Sequence, residues 1–285
     1  MPSQAVSVVI STHNRHKDCD ELLASLAKQT VEPHEVILID DRSEPPYRPK
    51  GPTPRGLRLI RPSKELGLGL ARLLGVREAT GDLIAFIDDD AIAPEWWVER
   101  ICKGGGKRGL HIWGGPALPL YEPGLKPPPW WDECVLGKYI AVCNNFIVGC
   151  NFVVRREAFE LVGEFRPYLG RYGGRTISNE DVEFILRAYL SGLRIGFDYG
   201  LWVYHKVRAY RLRTSYLLRR AWLQGLSTFL TVRGDMKLAL LGRKLVVDKC
   251  PCGEAIKSPK RSAKVMELLL TAITFISYLY YLARA

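Results

Sequence analysis

The sequence predicts an α/β fold with a mainly parallel central sheet flanked by helices and a basic, helical C-terminal tail. Three observations lead there. Strand-like and helix-like segments alternate through the first half of the chain, the strand runs are short, apolar and β-branched, and several of them stop abruptly on polar clusters. A length of 285 residues, 47% hydrophobic and 25% charged, excludes disorder, collagen and a coiled coil. It suits one large α/β domain or two small ones.

Val6–Ile10 reads as a buried strand running into Ser11-Thr12-His13-Asn14. Asp18–Gln29 sets Leu22, Leu23 and Leu26 at helical spacing behind an acidic first turn. Val36–Ile39 is a second strand stopped by Asp40-Asp41, and the five prolines between Ser43 and Pro54 make the next segment a loop. Leu57–Ile60 is a third strand, Gly67–Ala79 a helix, and Leu83–Ile87 a fourth strand ending on Asp88-Asp89-Asp90. In parallel sheets ligands sit beyond the carboxyl ends of the strands, and here three such ends carry polar side chains.

The texture changes after Glu95. Lys103–Gly109 is glycine-rich and basic, and Pro116–Trp131 reads as a long Pro- and aromatic-rich loop. Phe146–Val154 is strand-like, Arg155–Leu161 starts a helix, and Asn179 is placed to cap a helix opening on Glu180-Asp181. Leu193–Phe197 and Leu201–Tyr204 read as strands, the second followed by His205, and the pattern is helical from Thr214 onwards.

The net charge of +11 is uneven: Lys206–Lys264 holds 15 Lys or Arg against Asp235, Asp248 and Glu254, leaving the rest nearly neutral. Val265–Leu282 follows as an apolar stretch whose uncharged part is shorter than a bilayer span of ~20 residues. It reads as a buried core helix, or as a helix lying on a membrane surface or inserted a short way into it beside lipid-attracting basic residues. Seven cysteines without a signal-peptide pattern suggest no disulfide framework. Cys250-Pro251-Cys252 lacks the spacing and the nearby His of a zinc site.

Asp88-Asp89-Asp90 is the sharpest local signal. Adjacent carboxylates repel unless a cation or hydrogen-bond donors compensate them, and Mg²⁺ or Mn²⁺ is the natural partner. A solvated acidic turn is the plainer alternative. The cluster has company, however. VSVVISTHNR, VILIDDRS, GLGLARLLGVREATGDLIAFIDDD and NEDVEFILRAYLSG occur in that order between Val6 and Gly192. Together they resemble family 2 of the glycosyltransferases, GT-A enzymes that use nucleotide-activated sugars.

The resemblance implies roles position by position. Thr12, His13 and Asn14 would lie beside the base and ribose, one of Asp40 and Asp41 (Asp41 favoured) would bind the base, and Arg72 would sit near base or phosphates. Asp88, Asp89 and Asp90 match the D-x-D motif, with Asp90 and Asp88 holding Mn²⁺ or Mg²⁺ and His205 as a further ligand. Asp181, with Glu180 beside it, would be the base of an inverting transfer; the plainer reading of that pair is a favourable helix N-terminus. Trp130, Trp131 and Asn151 are candidate acceptor contacts, the two tryptophans alternatively packing on the core.

The expected reaction moves a sugar from a nucleotide-diphosphate donor, UDP first, to a glycan or lipid-linked acceptor, or directly to a polyprenyl phosphate. Residues 1–110 would hold the donor, 111–232 the acceptor, and 233–285 a tail touching the inner face of the cell membrane from the cytoplasm. A sugar-1-phosphate nucleotidyltransferase would need glycines where Ser11–Arg15 has none. A nucleic-acid-binding role fits poorly with an acidic strand edge, so no nucleic acid is expected.

Overall fold

The computed structural model describes residues 4–142, 146–172, 177–232 and 260–284, apart from the side chains of 105–108. Cys250, Cys252 and the middle of the basic stretch, residues 233–259, therefore lie outside the described residues. The first half runs β1 (Val6–Thr12), α1 (His16–Leu26), β2 (Glu35–Asp40), β3 (Leu57–Ile60), α2 (Leu68–Glu78), β4 (Leu83–Ile87), β5 (Ala91–Ile92) and α3 (Trp97–Arg108). Then come β6 (Ile112–Gly114), β7 (Ala117–Tyr121), α4 (Glu133–Leu136), β8 (Asn151–Arg155), α5 (Arg156–Val162) and α6 (Glu180–Leu190). β9 (Ile195–Phe197), β10 (Val203–Val207), α7 (Thr214–Val232) and α8 (Arg261–Leu282) complete the order.

The main sheet has the order β3-β2-β1-β4-β8-β6-β9, and β5-β10-β7 form a small second sheet. β3, β2, β1 and β4 are mutually parallel, while β8 runs antiparallel to β4 and β6. The expected mainly parallel α/β architecture is thus the one observed. Side chains alternate between two covered faces. Val8, Ile10 and Leu38 pack with Leu22, Leu26 and Trp97, whereas Val9, Ile37 and Phe86 pack with Leu73, Phe152 and Phe184 on the other side.

Several boundaries differ from the expectation. The glycine-rich stretch is the end of α3, whose Trp97, Val98 and Ile101 are buried and anchor it before the glycines begin. Gly109 closes it in the left-handed region at φ 57°. The Pro-rich loop contains β7, and Pro119 is accommodated because β7 is an edge strand. β8 begins at Asn151 rather than Phe146, and His205 lies inside β10 rather than after it. Cys134 is disulfide-bonded, although the cysteine pattern gave no reason to expect a disulfide framework, while Cys19, Cys102 and Cys150 are free.

The two C-terminal helices pack closely on one another. A Cβ at Gly225 of α7 would stand 2.4 Å from the carbonyl oxygen of Thr274 and 2.5 Å from Cβ of Ser277, so only glycine permits this approach. Ser277 Oγ donates to the Trp222 carbonyl at 2.7 Å, and Thr274 Oγ1 donates to that of Ala221 at 3.0 Å. Ala263 and Leu270 of α8 share a core with Trp131, Leu136 and Leu217.

Glu35, at the start of β2, ties three chain segments together. It accepts from Ser7 Oγ at 2.8 Å, from Thr80 N and Oγ1 at 2.7 Å each, and from Arg58 at 3.1 Å. Burial works to raise its pKa, but these donors outweigh it and hold the carboxyl down at about 2. The stabilisation is therefore complete above the ordinary value of 4.5 and is lost as pH falls towards about 2. Glu35→Gln is expected to cost about 1–3 kcal/mol at neutral pH and to flatten stability between those two values, as read from urea denaturation at a series of pH values.

Candidate active site

β1, β2 and β4 are parallel neighbours, so Thr12, Asp40-Asp41 and Asp88-Asp89-Asp90 reach one sheet edge. A cavity of about 390 Å³ lies there, lined among others by Thr12, His13, Arg15, Asp41, the three aspartates and His205. Asp40 faces inward. It accepts from Ser43 N at 2.9 Å, from Tyr47 N at 3.0 Å and from Arg61, which fastens the Pro-rich loop. Asp41 lines the cavity and accepts from Leu66 N at 2.7 Å and Gly67 N at 2.8 Å, with burial raising its pKa. His13 Nδ1 lies 2.7 Å from the Asp41 carbonyl. Asn14 turns in the left-handed region at φ 58° and accepts from Glu44 N at 2.7 Å.

The three adjacent aspartates have three different environments. Asp89 accepts from Thr12 Oγ1 at 2.9 Å. Burial first, together with its carboxylate neighbours, pushes it up to about 7 despite Arg15. Asp90 is also buried, yet His205, Arg211 and Arg15 hold it well below the usual carboxylate range. His205 Nε2 is 3.2 Å and Arg211 is 2.8 Å from its oxygens. Asp88 is the most open of the three and lines the cavity wall.

Asp88, His205 and Cys150 offer ligand atoms within 4.8 Å of one another. Burial raises the Cys150 thiol well above its ordinary value, which keeps it protonated and a poor ligand. The remaining donors, the Asp88 carboxylate and the His205 imidazole, with the Asp90 carboxylate 3.2 Å from His205 Nε2, suit Mn²⁺ or Mg²⁺. Asp88 is the freer carboxylate, because Asp90 already carries two arginines.

Arg72 joins this edge to the second acidic pair. Its guanidinium, 4% exposed, donates to Glu180 Oε1 at 2.7 Å, to Asp88 Oδ1 at 2.5 Å and to the Gly149 carbonyl at 2.9 Å. Burial, followed by the neighbouring Asp181 charge, pushes Glu180 up to about 7 against the pull of Arg72. Asp181 is more open, and Gly149 N donates to one of its oxygens at 2.5 Å. Gly149 thus supplies both backbone groups to the site. A Cβ there would stand 2.5 Å from the Arg72 guanidinium, a requirement no sequence motif signalled.

Asn179 does not cap α6. It sits in the left-handed region at φ 79° without a side-chain cap bond. Its amide instead bridges to α7, accepting from Gln224 at 3.0 Å and donating to Thr231 at 3.2 Å. The candidate acceptor contacts also have structural partners. Asn151 is fully buried, accepts from Trp97 Nε1 at 3.0 Å and donates to the carbonyls of Leu201 and Pro116 at 2.6 and 3.2 Å. Trp131 is buried in the core beneath α8 and donates to Tyr121 Oη at 3.1 Å, with Trp130 edge-on against it. Arg15 and Arg211, which hold Asp90, were not among the expected site residues; only their position beside Asp90 in space gives them that role.

The sequence matches the family described as glycosyl transferase family 2 over residues 7–163. The chain belongs to that family. This glycosyltransferase is 27% identical over 238 residues to a glucosyl-dolichyl phosphate glucuronosyltransferase of Haloferax volcanii, covering 78% of this chain and 75% of that one. It is 28% identical over 244 residues to the succinoglycan biosynthesis protein ExoM of Rhizobium meliloti, covering 79% and 75%. Among solved structures it resembles the mannosyltransferase PcManGT of Pyrobaculum calidifontis in complex with GDP-Man and Mn²⁺, with TM-score 0.58, 17% identity and coverage of 99% and 75%. The S. aureus TarS 1–349 complex with UDP superimposes with TM-score 0.51 at 18% identity, covering 83% and 68%. The enzyme thus shares the GT-A fold of both.

Removing the Arg72 guanidinium from this glycosyltransferase strands Glu180 and Asp88 without their shared partner. Arg72→Met is expected to destabilise the protein by about 3–5 kcal/mol in urea denaturation. Glu180→Gln, which keeps the acceptor oxygen and removes a charge that burial disfavours, should cost less than half of that.

Proposed function

We propose that the enzyme transfers a sugar, with inversion, from a nucleotide-diphosphate donor to a hydroxyl of a glycan or lipid-linked acceptor, assisted by Mn²⁺ or Mg²⁺. One observation carries the reading: Asp181 and Asp88, from separate elements, open on adjoining cavities and are coupled through Arg72. The donor then lies along Thr12, His13 and Asp41, with Asn14 shaping the turn beside it. Asp88, Asp90 and His205 would hold the divalent cation, which when bound would neutralise the charge developing on the leaving diphosphate. Residues 1–110 supply the donor half, joined there by His205 and Arg211, and 111–232 otherwise form the acceptor half.

In this reading Asp181 takes the proton of the acceptor hydroxyl as it attacks the anomeric carbon, and no covalent nucleophile is required. The Gly149 and Val182 amides hold its carboxylate in place, at 2.5 and 2.8 Å. Glu180, locked onto Arg72, orients rather than reacts. The dolichyl phosphate in the name of the Haloferax relative supports a lipid-linked acceptor. The UDP and GDP-Man of the structural neighbours support a nucleotide-diphosphate donor, with UDP tested first.

α8 supports contact with the cytoplasmic face of a membrane. It is long and apolar enough by length and composition to cross one. Its outward side carries Val265, Leu268, Phe275, Ile276 and Leu279, of which Leu268 is 71% exposed. These positions fall at helical spacing along one stripe, as in helices lying at a lipid surface.

Asp181→Asn should lower kcat by about 10²–10⁴ while nucleotide binding stays intact, measured by product formation and calorimetry. UDP or GDP binding in Mn²⁺ should vanish with EDTA and weaken in Asp88→Asn; equal binding with and without metal would remove the cation from the reading. Phe275→Glu with Ile276→Glu should abolish sedimentation with anionic lipid vesicles and leave nucleotide binding unchanged.

A further inference from the structure

Behind Asp181 lies a second cavity of about 650 Å³, within the size range of small-molecule sites. Its walls come from α6 (Ile185, Leu186), β9 (Ile195, Phe197), α7 (Thr228, Val232) and α8 (Thr271, Thr274), and are more apolar than polar. A sugar needs no such volume of hydrocarbon surface. At the mouth stands Arg220 of α7, which lines both this cavity and the donor cavity.

Arg220 differs from the other basic side chains around it. Lys206 pairs with Asp18 at 2.9 Å and Glu21 at 2.6 Å, Arg208 with Asp18 and Glu122, and Arg211 with Asp90. Most of the basic run ahead of α7 is thereby neutralised where it stands. The Arg220 guanidinium has only the Ser178 hydroxyl, at 3.2 Å from each terminal nitrogen, and no ion pair among the described residues. Burial and the nearby Arg171 lower its pKa, outweighing the attraction of Glu180 and Asp181.

We infer that the 650 Å³ cavity holds the hydrocarbon chain of a phosphorylated lipid acceptor, with the lipid phosphate on Arg220 and the reacting end facing Asp181. An apolar chamber beside an arginine with no ion pair among the described residues matches the two ends of such an amphiphile. α8 forms one wall of the chamber with Thr271 and Thr274 and turns Phe275 and Ile276 outward, so the same helix borders the lipid site and the exposed apolar stripe. The inference rests on the glycosyltransferase reading and narrows its acceptor.

The test is calorimetry with farnesyl phosphate, farnesol and inorganic phosphate, below their aggregation range, alongside UDP or GDP in Mn²⁺ as an independent readout. Farnesyl phosphate should bind wild type, and inorganic phosphate far more weakly. Thr228→Trp, which fills the chamber, should weaken farnesyl phosphate by about tenfold or more without touching nucleotide binding. Should that variant not fold, Thr271→Trp on the α8 wall of the chamber fills the same space. Arg220→Gln should weaken farnesyl phosphate about ten- to a hundredfold and leave farnesol unchanged. Wild-type protein that binds nucleotide but not farnesyl phosphate overturns the inference, as does an unaltered affinity in the chamber-filling variant. Farnesol binding as well as its phosphate, or loss of nucleotide binding in Arg220→Gln, removes the lipid phosphate from Arg220. Farnesyl phosphate binding without any nucleotide binding would instead overturn the donor assignment and leave the lipid chamber standing.

Discussion

The buried guanidinium of Arg72 is the constraint on which the site depends. A charge taken out of water is tolerable only when opposite charge and hydrogen-bond acceptors surround it. Arg72 meets that demand with one carboxylate from the end of β4, one from the start of α6 and the carbonyl of Gly149 just ahead of β8. Satisfying one side chain therefore fixes the relative positions of three elements that the chain brings together from far apart. Asp181 inherits its placement from the same arrangement, since its carboxylate takes the amide of the very glycine whose carbonyl Arg72 holds.

The aspartate run at the end of β4 shows how a short sequence is divided by its surroundings. The strand ends at Ile87 and the chain turns over Asp88–Ala91, with Ala91 N donating to the Asp88 carbonyl at 3.0 Å, so each carboxylate meets different company. Asp89 points at Thr12 and is pushed towards neutrality, Asp90 sinks among two arginines and a histidine, and Asp88 stays at the cavity wall. Repulsion within the triplet is eased by a raised pKa at one position, cations at the next and openness at the third. A motif of identical letters thus supplies three separate chemical groups.

What was legible in the sequence was local. β1, β2, β3 and β4 announced themselves through apolar β-branched runs, and the parallel sheet followed from their alternation with helices. The acidic ends of β2 and β4 and the acidic start of α6 were legible for the same reason. Partnerships across the fold were not. Arg72 and Glu180 are 108 positions apart, and nothing near either names the other. Asn151 and Trp131 look like surface recognition residues in the sequence but are enclosed by segments far away in the chain. β5 and β6 are too short to carry a pattern, and β7 is disguised by a proline that its edge position tolerates. The left-handed turn at Asn179 overrides the cap its residue type suggests.

The glycine contact between α7 and α8 has a mechanical side. Helices that touch at backbone distance, pinned by two hydroxyl-to-carbonyl bonds, cannot slide past each other without breaking those bonds. Whatever pulls or tilts the outer helix therefore turns the inner one as a single lever. Arg220, and through Asn179 the first turn of α6, ride on the short arm of that lever. An anchor applied at the far end of the chain would set the height and pitch at which the acidic pair is presented.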